Sequence, residues 1–460
     1  MIDSPACTAL VSRPPIFGPH MESVCDLARH WMSDCSHHKS CLPATSVILP
    51  TRVLALSGAP GSTPAVRLLE SKGERGQYVA LSHCWGPVDK QPLRTTRQSL
   101  HKHRAGISFD DLPRTFQDVV LLSHGMGIRN VWIDSLCIVQ GDGDDWHSEA
   151  SKMRTVYRNA TLVVSASGSK DSTEGLFISD RPNTVVHRIP YMPENLRRGC
   201  FNLAAYPPGD ANPGLGPLNK RAWALQERFL ARRFMAFMPG GISWICKECE
   251  MLECGAREDF ELYEASDWLS LLHEYSAKDM TYPADRLKAI RGMVAELEQS
   301  RKDRFFTDYG VWEDELVEQL LWRRDGGCLD PASLDLPTWS WAATGWRKIW
   351  CPYIYDVTLQ HMPRSLGITW SGRLRASGHL SSATKAPRYT PMSAHPSLVE
   401  YLHHRVLEDN VVTDTSYAIW DTVSGGPVLG FASFDLVSAI PHAQCFVISA
   451  MARNKRYSRV

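Results

Sequence analysis

The 460-residue chain has no net charge, because 50 Lys and Arg balance 50 Asp and Glu. Proteins that bind nucleic acid through bulk attraction to phosphate are normally basic, so no nucleic-acid partner is expected. The chain also lacks any uncharged apolar run of about 18 residues, and its N-terminus has no basic segment leading into an apolar one. Neither a membrane span nor a secretory signal is expected. Also missing are the G-x-G-x-x-G turn, the P-loop and the G-x-S-x-G elbow, which removes the fingerprints of dehydrogenases, nucleotide triphosphatases and α/β-hydrolases. The stretch from Gly141 to Asp145 has too few regularly spaced oxygens, and no closing Glu, for a calcium loop.

What is present points to a globular protein of several parts. Hydrophobic residues make up 43% and charged residues 22%, and the chain is too long for one ordinary core. The 13 cysteines are odd in number and scattered, unlike a secreted disulfide framework, so mostly buried, reduced thiols in a cytoplasmic protein are expected. Cys246, Cys249 and Cys254 offer three thiols with no fourth ligand near them in sequence. Cys35, His37, His38 and Cys41 could complete such a set only if the fold brought them close. Separate buried thiols and surface histidines are the expectation, with no metal site and no bound cofactor.

Organisation follows from the hydrophobic periodicity. Residues 1–70 read as an N-terminal helical and loop segment that includes a strand-like stretch, Thr51 to Leu56. Residues 71–257 alternate between strand and helix. Tyr78 onward is a buried strand, and Asp110 to Gly125 a helix with Leu112, Phe116, Val119 and Val120 on one face. Asn130 to Asp134 is a strand, Trp146 to Tyr157 a helix, Thr161 to Ala166 a strand, Trp223 to Leu230 a helix and Phe234 to Met238 a strand. This alternation predicts an α/β domain on a parallel sheet with right-handed crossovers. Residues 258–355 carry helical patterns (Tyr263 to Ser276, Pro283 to Leu297, Val311 to Trp322) and a Trp-dense turn at Pro337 to Trp341. Residues 356–460 read as mainly β, making the C-terminal half an α+β region.

Candidate chemistry gathers where strands end. In open α/β sheets a ligand crevice lies at the strands' carboxyl edge, which brings forward Ser82, His83, Trp85 and Gly86 after the first strand and Asp134 and Ser135 after the second. Trp223 and Glu227 stand at i and i+4, so one helix face presents an aromatic wall and an acid together. The bland alternative is an amphipathic helix with a core Trp and a solvated Glu. Glu149, three residues after Trp146, is a rival acid, although a first-turn Glu is favoured by the helix dipole alone. Ser82, His83 and Cys84 are consecutive, so His83 points away from both neighbours and cannot serve either as a base.

Three segments, Y-V-A-L-S-H-C-W-G (Tyr78 to Gly86), L-P-R-T-F-Q-D-V-V…V-W-I-D-S-L-C-I (Leu112 to Ile138) and R-A-W-A-L-Q-E-R (Arg221 to Arg228), follow in the same order as in fungal heterokaryon-incompatibility (HET) domains. The chain resembles that family from Tyr78 to about Cys254. Weaker likenesses flank it at Leu49 to Val53, Thr281 to Leu287, Leu320 to Arg324 and Pro337 to Trp341. It departs from the family pattern at His83, where Tyr is usual, and at Ala222 and Ala224, where Gly and Thr are usual. The order of elements is also similar to a TIR (Toll/interleukin receptor) domain of flavodoxin-like architecture, with W-A-L-Q-E resembling that family's Trp-x-Leu-x-Glu signature. That resemblance makes Glu227 the catalytic residue of an NAD-cleaving site; Glu149, in the wrong crossover for it, is the alternative that helix spacing alone offers. Ser82, His83, Trp85, Gly86, Asp134, Ser135 and Trp223 would line it, and NAD would be a substrate. Membership of the HET family further implies a role in allorecognition or regulated cell death, self-association through this domain and a protein partner bound through the flanking regions. A TIR-like interaction module without catalysis, and a regulator of some other pathway, are the competing readings.

Overall fold

The computed structural model describes residues 21–41, 46–59, 61–177, 186–191, 199–204, 212–253, 255, 257–259, 268–280, 285–314, 316–320, 323–324, 336, 340–344 and 349–350, with short strands between 357 and 453. The chain forms two compact units, Met1–Glu264 and Ala265–Val460.

The first unit is built on one nine-stranded sheet. Its strands in chain order are β1 (Arg52–Ser57), β2 (Ala65–Glu70), β3 (Val79–Ser82), β4 (Asn130–Trp132), β5 (Leu162–Ser165), β6 (Arg233–Met238), β7 (Gly241–Cys246), β8 (Cys249–Leu252) and β9 (Arg257–Asp259). Across the sheet they lie in the order β9-β8-β7-β6-β5-β3-β4-β1-β2. β3, β5 and β6 are buried along their whole length, as expected of strands covered on both faces. The helices are α1 (Met21–Cys35), α2 (Leu100–Ala105), α3 (Arg114–Gly125), α4 (Asp134–Cys137), α5 (Gly143–Asn159) and α6 (Ala222–Leu230). α1 lies against α3, and α5 against α6.

Four central strands are parallel: β6 to β5, β5 to β3 and β3 to β4. Numbered among themselves by chain order, they run 2-1-3-4. The order reverses between β3 and β5, the position where doubly wound sheets leave a crevice. Ser82 and Ser165, the last residues of these two strands, are register partners.

Two expectations need correction. The sheet is mixed rather than parallel throughout: β1 pairs antiparallel with β4 and with β2, and β6 to β9 form an antiparallel meander. Short connections such as Pro239–Gly240 between β6 and β7 allow only antiparallel pairing. The described part of the segment 1–70 is likewise not separate, since β1 and β2 belong to the sheet and α1 lies against α3. Between β5 and α6, Val186–Tyr191 and Gly199–Ala204 pair as a hairpin.

The second unit contains α7 (Trp268–Ser276), α8 (Arg286–Leu297) and α9 (Leu316–Leu320). Trp268, Trp312 and Trp341 are fully buried, with Trp268 set edge-on to Trp312. The helix expected over Val311 to Trp322 is shorter than its pattern suggested. Val311–Trp312 instead pairs as a strand with Phe305–Phe306. The described backbone after residue 356 is all strand, including a four-stranded antiparallel sheet.

Candidate functional site

The site grows from the end of β3. Along a strand successive side chains point to opposite faces, and the pair Ser82–His83 divides accordingly. Ser82 Oγ donates to Glu227 Oε2 on α6. His83 turns to the other side, where its Nε2 lies 3.2 Å from Asp134 Oδ1 and its ring packs on Phe116 of α3 at 5.1 Å. Its Nδ1 is 3.2 Å from the Cys84 carbonyl oxygen. The Nε2 approach is off the N–H direction, so it acts as a charge contact rather than an aligned hydrogen bond.

Asp134 opens α4 directly after β4. Its carboxylate accepts from Trp85 Nε1 at 2.8 Å and from the Ser135 amide at 2.7 Å. Arg221, immediately before α6, donates from Nη1 to the His83 carbonyl at 2.8 Å. Cys84 packs with Leu218 and Ala224, which seats the start of α6 against the loop after β3. The strand end, the start of α4 and the start of α6 therefore converge. Ser82 is 1% exposed, His83 4% and Glu227 9%, whereas the Asp134 side chain, at 23%, forms the open edge.

The two carboxyls are driven in opposite directions. Burial raises Glu227 above the ordinary glutamate range, only partly opposed by the Ser82 hydroxyl and the Arg221 charge. Burial also acts against ionisation of Asp134, but the close approach of the His83 charge, the Trp85 indole and Arg221 outweigh it, and this carboxyl is lowered. Tyr157, whose Oη donates to the Leu81 carbonyl at 3.3 Å, is pushed well up by burial and then by the Glu227 and Asp134 charges. Neighbouring acids with divergent pKa values mark a site able to separate acid, base and electrostatic roles. Burial pushes the Cys84 thiol up to about 11, which disfavours the thiolate that a nucleophile needs.

The other expected residues take distinct places. Gly86 has φ +79°, and a Cβ there would lie 2.5 Å from Asp171 Cβ, so the loop needs glycine on both counts. Ser135 turns away, its Oγ donating to the Leu93 carbonyl at 3.0 Å. Trp223 is half-buried on α6, one turn before Glu227. The alternative acid, Glu149, stands apart from this network: it is buried and paired with Lys152 at 2.8 Å. Sequence reasoning missed Arg221 and Tyr157. Arg221 opens the quoted motif, but nothing local signals that its charge serves the turn after β3. A cavity of about 400 Å³ opens elsewhere, lined by Ser57, Val66, Arg67, Gly106 and Phe109 among others, and shares no residue with this network.

The thiols and histidines expected to lie apart do not all do so. Cys35, His38, Cys41 and Cys246 converge, their ligand atoms all within 4.8 Å of one another. Cys254 lies outside the described residues.

In comparisons with known proteins, residues 78–227 match the family model described as Heterokaryon incompatibility protein (HET). No curated protein and no solved structure matched.

Proposed function

From a chain that carries a HET domain at residues 78–227, we propose a TIR-like effector of heterokaryon incompatibility that cleaves the nicotinamide–ribose bond of NAD at Glu227. One observation carries the reading. The Glu227 carboxylate accepts from Ser82 at the carboxyl end of β3, beside the strand pair where the parallel order reverses.

The chemistry suits these groups. The C1′–N bond breaks with its electron pair going to nicotinamide, which leaves neutral, so no strong acid is needed. Positive charge develops on the ribose, and an ionised carboxylate beside it stabilises that charge, as in glycoside hydrolysis. Water then adds at C1′ and releases one proton to solvent. Trp85 and Trp223 supply aromatic faces for the leaving ring.

The test is nicotinamide release from NAD by the full chain. Wild type should turn over, and Glu227→Gln should lose activity at least about 100-fold while keeping its fold. Equal release by both proteins would remove Glu227 from the chemistry.

The burial of Glu227 favours a second reading, a self-associating module without catalysis. There the Ser82–Glu227 contact serves as a clasp between β3 and α6. No turnover by wild type, together with concentration-dependent self-association, would select it.

A further inference from the structure

The cluster at the end of α1 lies outside the network just described and is served by none of its residues. Its members come from two places. Cys35, His38 and Cys41 follow one another at a spacing of three residues where α1 ends and the chain turns back, and Cys246 closes β7 some two hundred positions later. α1 is brought to this part of the sheet by Trp31, whose ring meets that of Trp244 on β7 at 5.9 Å. Cys35, Cys41 and Cys246 are buried, and His38 is half-buried.

The distances suit one small ion. Tetrahedral zinc with ordinary bond lengths sets sulfur–nitrogen edges of about 3.6 Å and sulfur–sulfur edges of about 3.8 Å. His38 Nδ1 is 3.6 Å from Cys41 Sγ and 3.4 Å from Cys246 Sγ, and all four ligand atoms lie within 4.8 Å of one another. Cys35, Cys41 and Cys246 are free thiols. Three buried thiols and a half-buried imidazole turned toward one another make the donor set of a tetrahedral site, and one divalent ion takes the lone pairs of all four at once. The outer shell also fits: Glu248 of the β7–β8 turn accepts from the Ser40 amide, tying together the two segments that supply the ligands.

We propose that Cys35, His38, Cys41 and Cys246 bind one zinc ion that fastens α1 to the end of β7. With four protein ligands the site is closed and structural, with no position left for substrate. Cys249, whose Sγ is 3.7 Å from Cys246 Sγ, stands next to the set.

The test is metal analysis of the full chain purified without chelator and supplied with equimolar zinc. About one zinc per chain is expected. Cobalt in its place should give the intense visible bands of a tetrahedral site and a thiolate charge-transfer band in the near ultraviolet. Cys246→Ser should lower metal content at least about five-fold. His38→Cys should keep the metal and shift the cobalt bands toward those of an all-sulfur site, a change no folding defect imitates. Cys25→Ala, in α1 but away from the cluster, should keep both metal and spectrum. Wild type without bound zinc, octahedral cobalt bands, or a disulfide between any two of the four residues would overturn the proposal. So would loss of metal in Cys249→Ser with retention in His38→Ala.

Discussion

At the scale of single residues, the two carboxyls give opposite pH signatures. Glu227 is raised in the folded state, so its protonated form favours the fold, and that contribution is lost as pH rises through the folded value. Removing the charge should therefore help most at neutral pH. Glu227→Gln is expected to match or exceed wild type in Tm near pH 7, with the gap closing below the ordinary glutamate range. Asp134 is lowered, so its contribution is present above the ordinary aspartate range and disappears as pH falls through the depressed value. Asp134→Asn should cost about 1–3 kcal/mol at neutral pH, and the deficit should vanish in acid. Thermal unfolding of both variants across pH reads both signs. The Ser82 hydroxyl opposes the rise of Glu227, so under the proposed NAD-cleaving role Ser82→Ala should move the acid limb of kcat/KM upward.

At the scale of elements, α3 and α1 meet with no room to spare. A Cβ on Gly125, the last residue of α3, would lie 2.5 Å from Cys25 Sγ on α1. Gly125→Ala should thus cost about 1–3 kcal/mol through overpacking, and Cys25→Ala in the same chain should recover part of the loss, as a double-mutant cycle in denaturant would register. The central elements were legible because periodicity and burial agree in them. β3, β5, β6, α5 and α6 came within a few residues of their observed bounds from apolar runs and helical spacing alone. α3 begins later than its acidic start signal, with Asp110 and Asp111 in a 3-10 turn and Pro113 at the cap. Other features were not local. Ala65–Glu70 alternates buried and exposed over its first residues, yet nothing in that alternation says that it pairs beside β1. The site was readable as far as Ser82, Asp134 and Glu227, since strand ends and a helix face place them. Arg221 and Tyr157 were not, because their roles depend on how α5 and α6 pack. The His38 cluster stayed unresolved for the same reason: its fourth ligand, Cys246, is distant in sequence and only the sheet brings it in.

At the scale of the whole chain, the family match and the folding unit do not coincide. Residues 78–227 contain β3, β4 and β5 but leave out six of the nine strands in the sheet. Both flanks of that trio would then be open edges, a poor basis for independent stability. Expressed alone, 78–227 should fail to unfold cooperatively, whereas 1–264 should show one sigmoidal transition. Circular dichroism in denaturant distinguishes the two. No helix among the described residues is long and apolar enough to cross a membrane.

Only Ala231 and Arg232 separate α6 from β6, a central strand zipped between β5 and β7. The helix bearing the acid is thus on a short tether. Swinging it aside would mean peeling a strand from the middle of the sheet, far dearer than shifting a surface turn. The door, if a dinucleotide is to enter, hangs more cheaply on the opposite jamb: the loop from Cys84 to Pro87, held by the Trp85 indole on Asp134 and by Ser172 and Gln91 on its carbonyls.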